Sequence, residues 1–374
     1  MRRVPEFDAL RGLAVVVVLM FHLDPLRYYP GWSGVDLFFV LSGYLITGII
    51  LANAGMGSFG EIRSFYGRFC ARRALRIWPI YYLTLVGLIA ADRFLPEPPS
   101  ERWFRAASVF LQYTSLYVGI QPIELHPAFG QTWTLALEEQ FYLAWPLVAI
   151  LAWRSRRFYP LCGLVIALNL ALRSRENGIL PNNLGERLLA TRSDGFALGA
   201  LLAAALRPGG WADARPSRAR WAFGGAAALG SIYLGWGSWR YGGLGFIGLP
   251  TPSWPAETIL MFAVLYAGII GLAAVDSGAR WLAPLRFGPL VALGRISYGL
   301  YLLHPVVYWA VDGCSLDPRP RATQYAQSGP TQALKLGLSL GAATASWWLV
   351  ERPFLRWKGR FGYRAGSTTS RETR

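Results

Sequence analysis

Arg11 and His22 stand eleven residues apart in a stretch that is otherwise almost entirely apolar. On one helix that separation is about three turns, roughly 16 Å of rise, and it brings both side chains to nearly the same face. A neutral imidazole beside a carboxylate can be oriented and kept basic enough to take a proton from a hydroxyl, the step that acyl transfer to an alcohol requires. His22 is the expected base. Asp36 is the group expected to orient it, and Glu138 would share that task or bind the hydroxyls of an acceptor. The plainer alternatives are a snorkelling arginine and a histidine that only packs helices.

Ser297, Tyr298, Tyr301 and His304 fall in a second apolar stretch, and Arg192 and Asp194 open a third. Tyr301, His304, Arg192 and Asp194 are the expected acceptor-binding set, although Arg192 and Asp194 also read as a simple pair at the membrane interface. The segment Ser64 to Trp78, SFYGRFCARRALRIW, is basic and amphipathic, with Arg68, Arg72, Arg73 and Arg76. Anchoring to anionic lipid is its bland reading. The functional reading is a phosphate clamp, because the planar guanidinium fork matches the phosphates of coenzyme A.

The scaffold that carries these groups is a membrane one. Of 374 residues, 53% are apolar and 16% charged, a balance too greasy for a soluble enzyme of this length. Apolar runs able to cross about 30 Å of hydrocarbon recur along the chain. Ten spans are expected, near 8–25, 33–52, 77–95, 132–153, 158–173, 191–207, 221–240, 254–275, 289–312 and 333–351. The class is thus an all-α polytopic bundle, with residues 1–358 as one transmembrane domain and 359–374 as a short, polar, disordered cytoplasmic tail. Segment 103–119 reads as a short or re-entrant helix, since that choice leaves every arginine cluster and both termini in the cytoplasm. His22, Asp36, Glu138 and His304 then share the outer half of the bilayer, where ionisable groups are costly and point to function.

The formal charge of +16 suggests nucleic acid, but the arginines sit in short clusters between apolar runs and serve as topology signals. Cys70, Cys162 and Cys314 are isolated, without disulfide or zinc spacing, and no metal is expected. The basic N-terminus and apolar run 13–23 lack a small-residue cleavage pattern, so they read as a retained first span. No internal repeat of the kind many transporters carry is visible.

Seven pieces in order resemble the acyltransferase-3 family of integral membrane acyltransferases. They are FDALRGLAVVVVLMFH from Phe7, GVDLFFVLSGYLI from Gly34, FCARRALRIWPIYY from Phe69, QTWTLALEEQFYLAWP from Gln131, RSDGFALGALLA from Arg192, ISYGLYLLHPVV from Ile296 and ERPF from Glu351. The family's arginine–histidine pattern falls on Arg11 and His22, its RxxR pattern on Arg73 and Arg76, and the glutamate of its WSLxxE-type motif on Glu138, with Thr134 where serine is usual. The resemblance implies a bundle of about ten helices in the bacterial inner membrane that takes acetyl from cytoplasmic acetyl-CoA and modifies an envelope polysaccharide, lipid-linked glycan or glycoside. Arg11, Arg73 and Arg76 would hold the acyl-CoA. Some relatives carry an additional external hydrolase-like domain, which is not seen in this sequence. The competing reading is a transporter or flippase that uses the buried charges as a path.

Overall fold

The computed structural model describes residues 4–25, 27–92, 127–175, 189–240, 256–313 and 328–363. The expected short helix at 103–119 and Cys314 lie outside them. Among the described residues there is no strand, and ten helices of thirteen or more residues coincide with the ten expected segments. They are α1 Pro5–Leu23, α2 Gly34–Ala52, α3 Phe59–Asp92, α4 Trp133–Arg154, α5 Phe158–Arg175, α6 Asp194–Leu206, α7 Pro216–Arg240, α8 Thr258–Val275, α9 Gly288–Val311 and α10 Gly329–Ser346. The basic amphipathic segment and the third span form one 34-residue helix, α3.

Among the described residues, five helical stretches are long and apolar enough to cross a membrane, at Pro30–Ala52, Gly130–Arg154, Thr258–Val275, Gly288–Val311 and Gly329–Phe361. Helix α1 falls short of that standard because Glu6, Asp8 and Arg11 crowd its first half, yet Glu6 and Asp8 are buried among neighbouring helices. The 13 residues of α6 reach only about 20 Å. Large apolar side chains such as Leu164, Ile232 and Trp236 point outward, as lipid-facing residues do.

Glycines set the closest helix contacts. A Cβ on Gly12 of α1 would sit 2.6 Å from the Leu290 carbonyl oxygen and 3.1 Å from the Gly294 nitrogen of α9, so the two backbones touch. Gly43 of α2 lies against Phe196, and Gly199 of α6 against Val40. Phe141 stacks on Phe196 at 4.3 Å between ring centroids, and Phe196 lies 4.7 Å from Phe39, which ties α4 and α2 to α6. Ion pairs hold helix ends: Arg220 grips Asp276 with two nitrogens, Arg286 reaches Glu6 at 3.0 Å, and Lys335 reaches Asp312 at 2.7 Å.

After α10 the chain makes a π turn at Trp347–Glu351 and continues as α11, Arg352–Trp357. The wide turn leaves Trp348 and Leu349 exposed and Glu351 buried, with Ser346 donating to Glu351 at 3.2 Å. Gly299 of α9 provides the room for that carboxylate. The packed chain runs past residue 358 into the expected tail: Arg72 donates to the carbonyls of Lys358 and Phe361 and lies over the Tyr363 ring, which packs on Phe65. A guanidinium that satisfies two bare carbonyls and an aromatic face holds in place a segment that composition alone marks as disordered.

Candidate active site

A cavity of about 80 Å³ opens between α1, α2, α3, α4 and α9, with Arg11, Arg73, Arg76, Ser42, Glu138 and Tyr298 in its walls. Arg73 and Arg76 are three apart on α3 and so share a face. Arg72, immediately before Arg73, points to the C-terminal segment instead. Arg11, Arg73 and Arg76 lie within electrostatic reach of one another. Three like charges converging on one space repel, and an anion placed there relieves that repulsion. Arg73 rests on the Phe69 and Tyr142 rings at 5.6 and 5.4 Å, and its Nε is buried with no hydrogen-bond partner.

Glu138 is the counter-charge. Its carboxylate accepts from Ser42 Oγ at 2.9 Å and from the Tyr142 hydroxyl at 2.8 Å. Ser42 stands on α2 and Tyr142 one turn along α4, so two helices fix the carboxylate's direction. On the other side of α1 an open groove of about 860 Å³ runs between Phe7, Asp8, Tyr44, Leu206 and Arg207. Arg11 lines both spaces, with its guanidinium 3.4 Å from Asp8.

His22 lies beyond the cavity, in the last turn of α1. Its Nδ1 is 2.9 Å from the Val18 carbonyl oxygen and 3.3 Å from Nε2 of His304, which is fully buried, while His22 itself is exposed. Tyr301, one turn before His304, forms part of the cavity wall; its hydroxyl is held by Thr134 Oγ1 at 2.6 Å and the Gln131 carbonyl at 3.0 Å. The ring centroids step from Tyr301 to His304 at 6.0 Å and on to His22 at 4.9 Å. Tyr301 and His304 therefore stand between the arginine-lined cavity and His22.

The expected cluster of His22, Asp36 and Glu138 does not form. Asp36 pairs with Arg192 at 3.0 Å, both side chains being buried, and leaves the His22 ring to Val18 and His304. In a low-dielectric interior a carboxylate is satisfied far better by a guanidinium than by a neutral ring that already has a carbonyl partner. Nor do Arg192 and Asp194 pair with each other at an interface. Arg192 sits among Trp32, Phe39 and Trp133 at 5.6 to 5.8 Å, and Asp194 accepts from Arg173 of α5 at 2.7 Å. Arg192, Asp194, Tyr301 and His304 thus divide between two places, one around Asp36 and one beside His22.

Ser42, Tyr142 and Arg173 escape a reading of the sequence. Arg173 carries the one available signal, an arginine at the very end of an apolar run; Ser42 and Tyr142 are common residue types in ordinary helix positions. Among the described residues no three histidine, cysteine or acidic side chains converge as a metal site would need.

A family model described as an acyltransferase domain matches residues 4–350. The peptidoglycan O-acetyltransferase OatA of Listeria monocytogenes is 30% identical over 326 residues, which cover 81% of this chain and 49% of that protein. The putative peptidoglycan O-acetyltransferase YrhL of Bacillus subtilis is 35% identical over 159 residues, 40% of this chain and 24% of that protein. A putative O-acetyltransferase of Staphylococcus aureus strain COL is 27% identical over 381 residues, 95% of this chain and 58% of that protein. The chain spans about half the length of the first and third of these relatives. No solved structure matches it. With a family match over nearly its whole length, and with five of the seven ordered motifs on the helices that build this cavity, the chain belongs to the acyltransferase-3 family.

Proposed function

We propose that this protein is an integral membrane O-acetyltransferase that carries acetyl from acetyl-CoA, bound from the cytoplasmic side, to a hydroxyl of a cell-wall glycan. The names of its relatives favour peptidoglycan as the acceptor. The observation that carries the proposal is the convergence of Arg11, Arg73 and Arg76 on one cavity, with His22 eleven residues further along the helix that bears Arg11. The buried, unpartnered Nε of Arg73 and the mutual repulsion of the three guanidiniums fit an anionic occupant such as the phosphates of acyl-CoA. The groove beyond Arg11 gives a long carrier room to enter.

In this reading Nε2 of His22 takes the proton of the acceptor hydroxyl as its oxygen bonds to the acyl carbon. The carbon–sulfur bond breaks, and His22 returns the proton to the leaving thiolate. Glu138, fixed by Ser42 and Tyr142, offsets part of the repulsion within the arginine cluster. The Asp36–Arg192 and Asp194–Arg173 pairs brace α2, α5 and α6. The ten helices form one membrane bundle with both termini in the cytoplasm.

The test is mass spectrometry of cell-wall glycans from cells that carry or lack the gene. Loss of one acetyl group per modified sugar on deletion, restored by the intact gene and not by the His22→Ala variant, is the expected result. Identical glycans, or label that crosses vesicles without consumption of the thioester, would refute it.

A further inference from the structure

His22 and His304 each place Nδ1 against the carbonyl four residues back in their own helix, Val18 at 2.9 Å and Leu300 at 3.1 Å. A carbonyl oxygen only accepts, so in the neutral rings both Nδ1 atoms carry the hydrogen. Nε2 of His304 is then bare. It lies 3.3 Å from Nδ1 of His22 and accepts a share of that N–H. Nε2 of His22 is left with its lone pair and, among the described residues, without a hydrogen-bond partner. Tyr301 and Tyr308 flank the His304 ring at 6.0 and 5.5 Å and hold it in place.

We propose that His304 is a positioning residue for His22 and not a substrate ligand: its neutral imidazole takes the place a carboxylate holds in a histidine–carboxylate pair. It fixes the His22 ring with Nε2 toward the reacting hydroxyl and stabilises the positive charge that appears when His22 takes the proton. A neutral acceptor does this without setting a permanent charge in the membrane interior, where an unpaired carboxylate would be costly. Burial agrees with the division of labour, since His304 is enclosed and His22 is exposed. The inference rests on His22 acting as the base.

The experiment uses the full-length protein in lipid vesicles. The sequence has 3 histidines, so 15N-histidine labelling with single substitutions assigns each ring by solid-state NMR. The expected spectrum shows His22 and His304 both protonated on Nδ1 and bare on Nε2. In transfer assays His304→Phe should lower kcat by about 10- to 100-fold, part of what a positioned base supplies. KM for acetyl-CoA should stay within about two-fold. His304→Gln, whose amide oxygen reaches the place of Nε2, should recover most of the rate. A His22 ring protonated on Nε2 overturns the inference, as does a His304→Phe enzyme with unchanged kcat or with a raised KM alone. Normal turnover in His22→Ala would remove the base itself, whereas a wrong tautomer with an inactive His22→Ala removes only the role of His304.

Discussion

Gly12 lies directly against Gly294, and ten residues further along each of those two helices His22 meets His304. Equal steps from a shared contact mean that α1 and α9 run in the same direction, and that one glycine pair sets the register of the histidine pair. Gly294→Ala would drive a Cβ into the Asp8 backbone and force the helices apart. We expect about 1–3 kcal/mol of destabilisation and a larger loss of transfer than the loss of folded protein explains. Gly224→Ala on α7, where nothing lies within 4 Å, should be neutral or raise the melting temperature, since alanine is favoured in helices by about 1 kcal/mol. Thermal unfolding in detergent compares the two.

Substitution of His22 by alanine should lower transfer from labelled acetyl-CoA by about 10²–10⁴-fold, the usual contribution of a positioned base. Elution as a single folded species and an unchanged melting temperature are the controls.

Arg73→Ala and Arg76→Ala should each raise KM for acetyl-CoA about 10-fold or more, the effect of losing a charged hydrogen bond of 1.5–3 kcal/mol. Arg72→Ala should leave KM alone and lower the melting temperature, because that guanidinium holds the carbonyls of Lys358 and Phe361. Steady-state kinetics beside a melting curve separates these neighbours.

Asp36→Ala and Arg192→Ala each strand a buried charge, so each should cost about 3–5 kcal/mol. A double variant, Asp36→Leu with Arg192→Met, should regain much of that stability because no unpaired charge remains. Melting temperatures of the unaltered protein and the three variants test both expectations.

The all-helical class and nearly every helix position were legible in the sequence, because apolar length and arginine punctuation speak directly of segments that must satisfy their own backbone in lipid. Arg11, His22, Arg73, Arg76 and Glu138 stood out as ionisable groups in apolar company. Their partners did not. Asp36 meets an arginine 156 positions away, and His22 a histidine 282 positions away, and no periodicity within either helix encodes such a pairing. The split between Arg72 and Arg73 was hidden for the same reason: a 100° turn between adjacent residues sends one to the C-terminal segment and the other to the cavity.

The π turn at Trp347–Glu351 acts as a phase shifter. One additional residue is taken up within a single loop of the coil, so everything after it is rotated relative to an unbroken α-helix. Deleting one residue there would swing Glu351 out of its slot beside Gly299 and carry Arg352 and Pro353 around with it. Insertions and deletions at this point of the chain should therefore be tolerated far less than substitutions at the exposed Leu349.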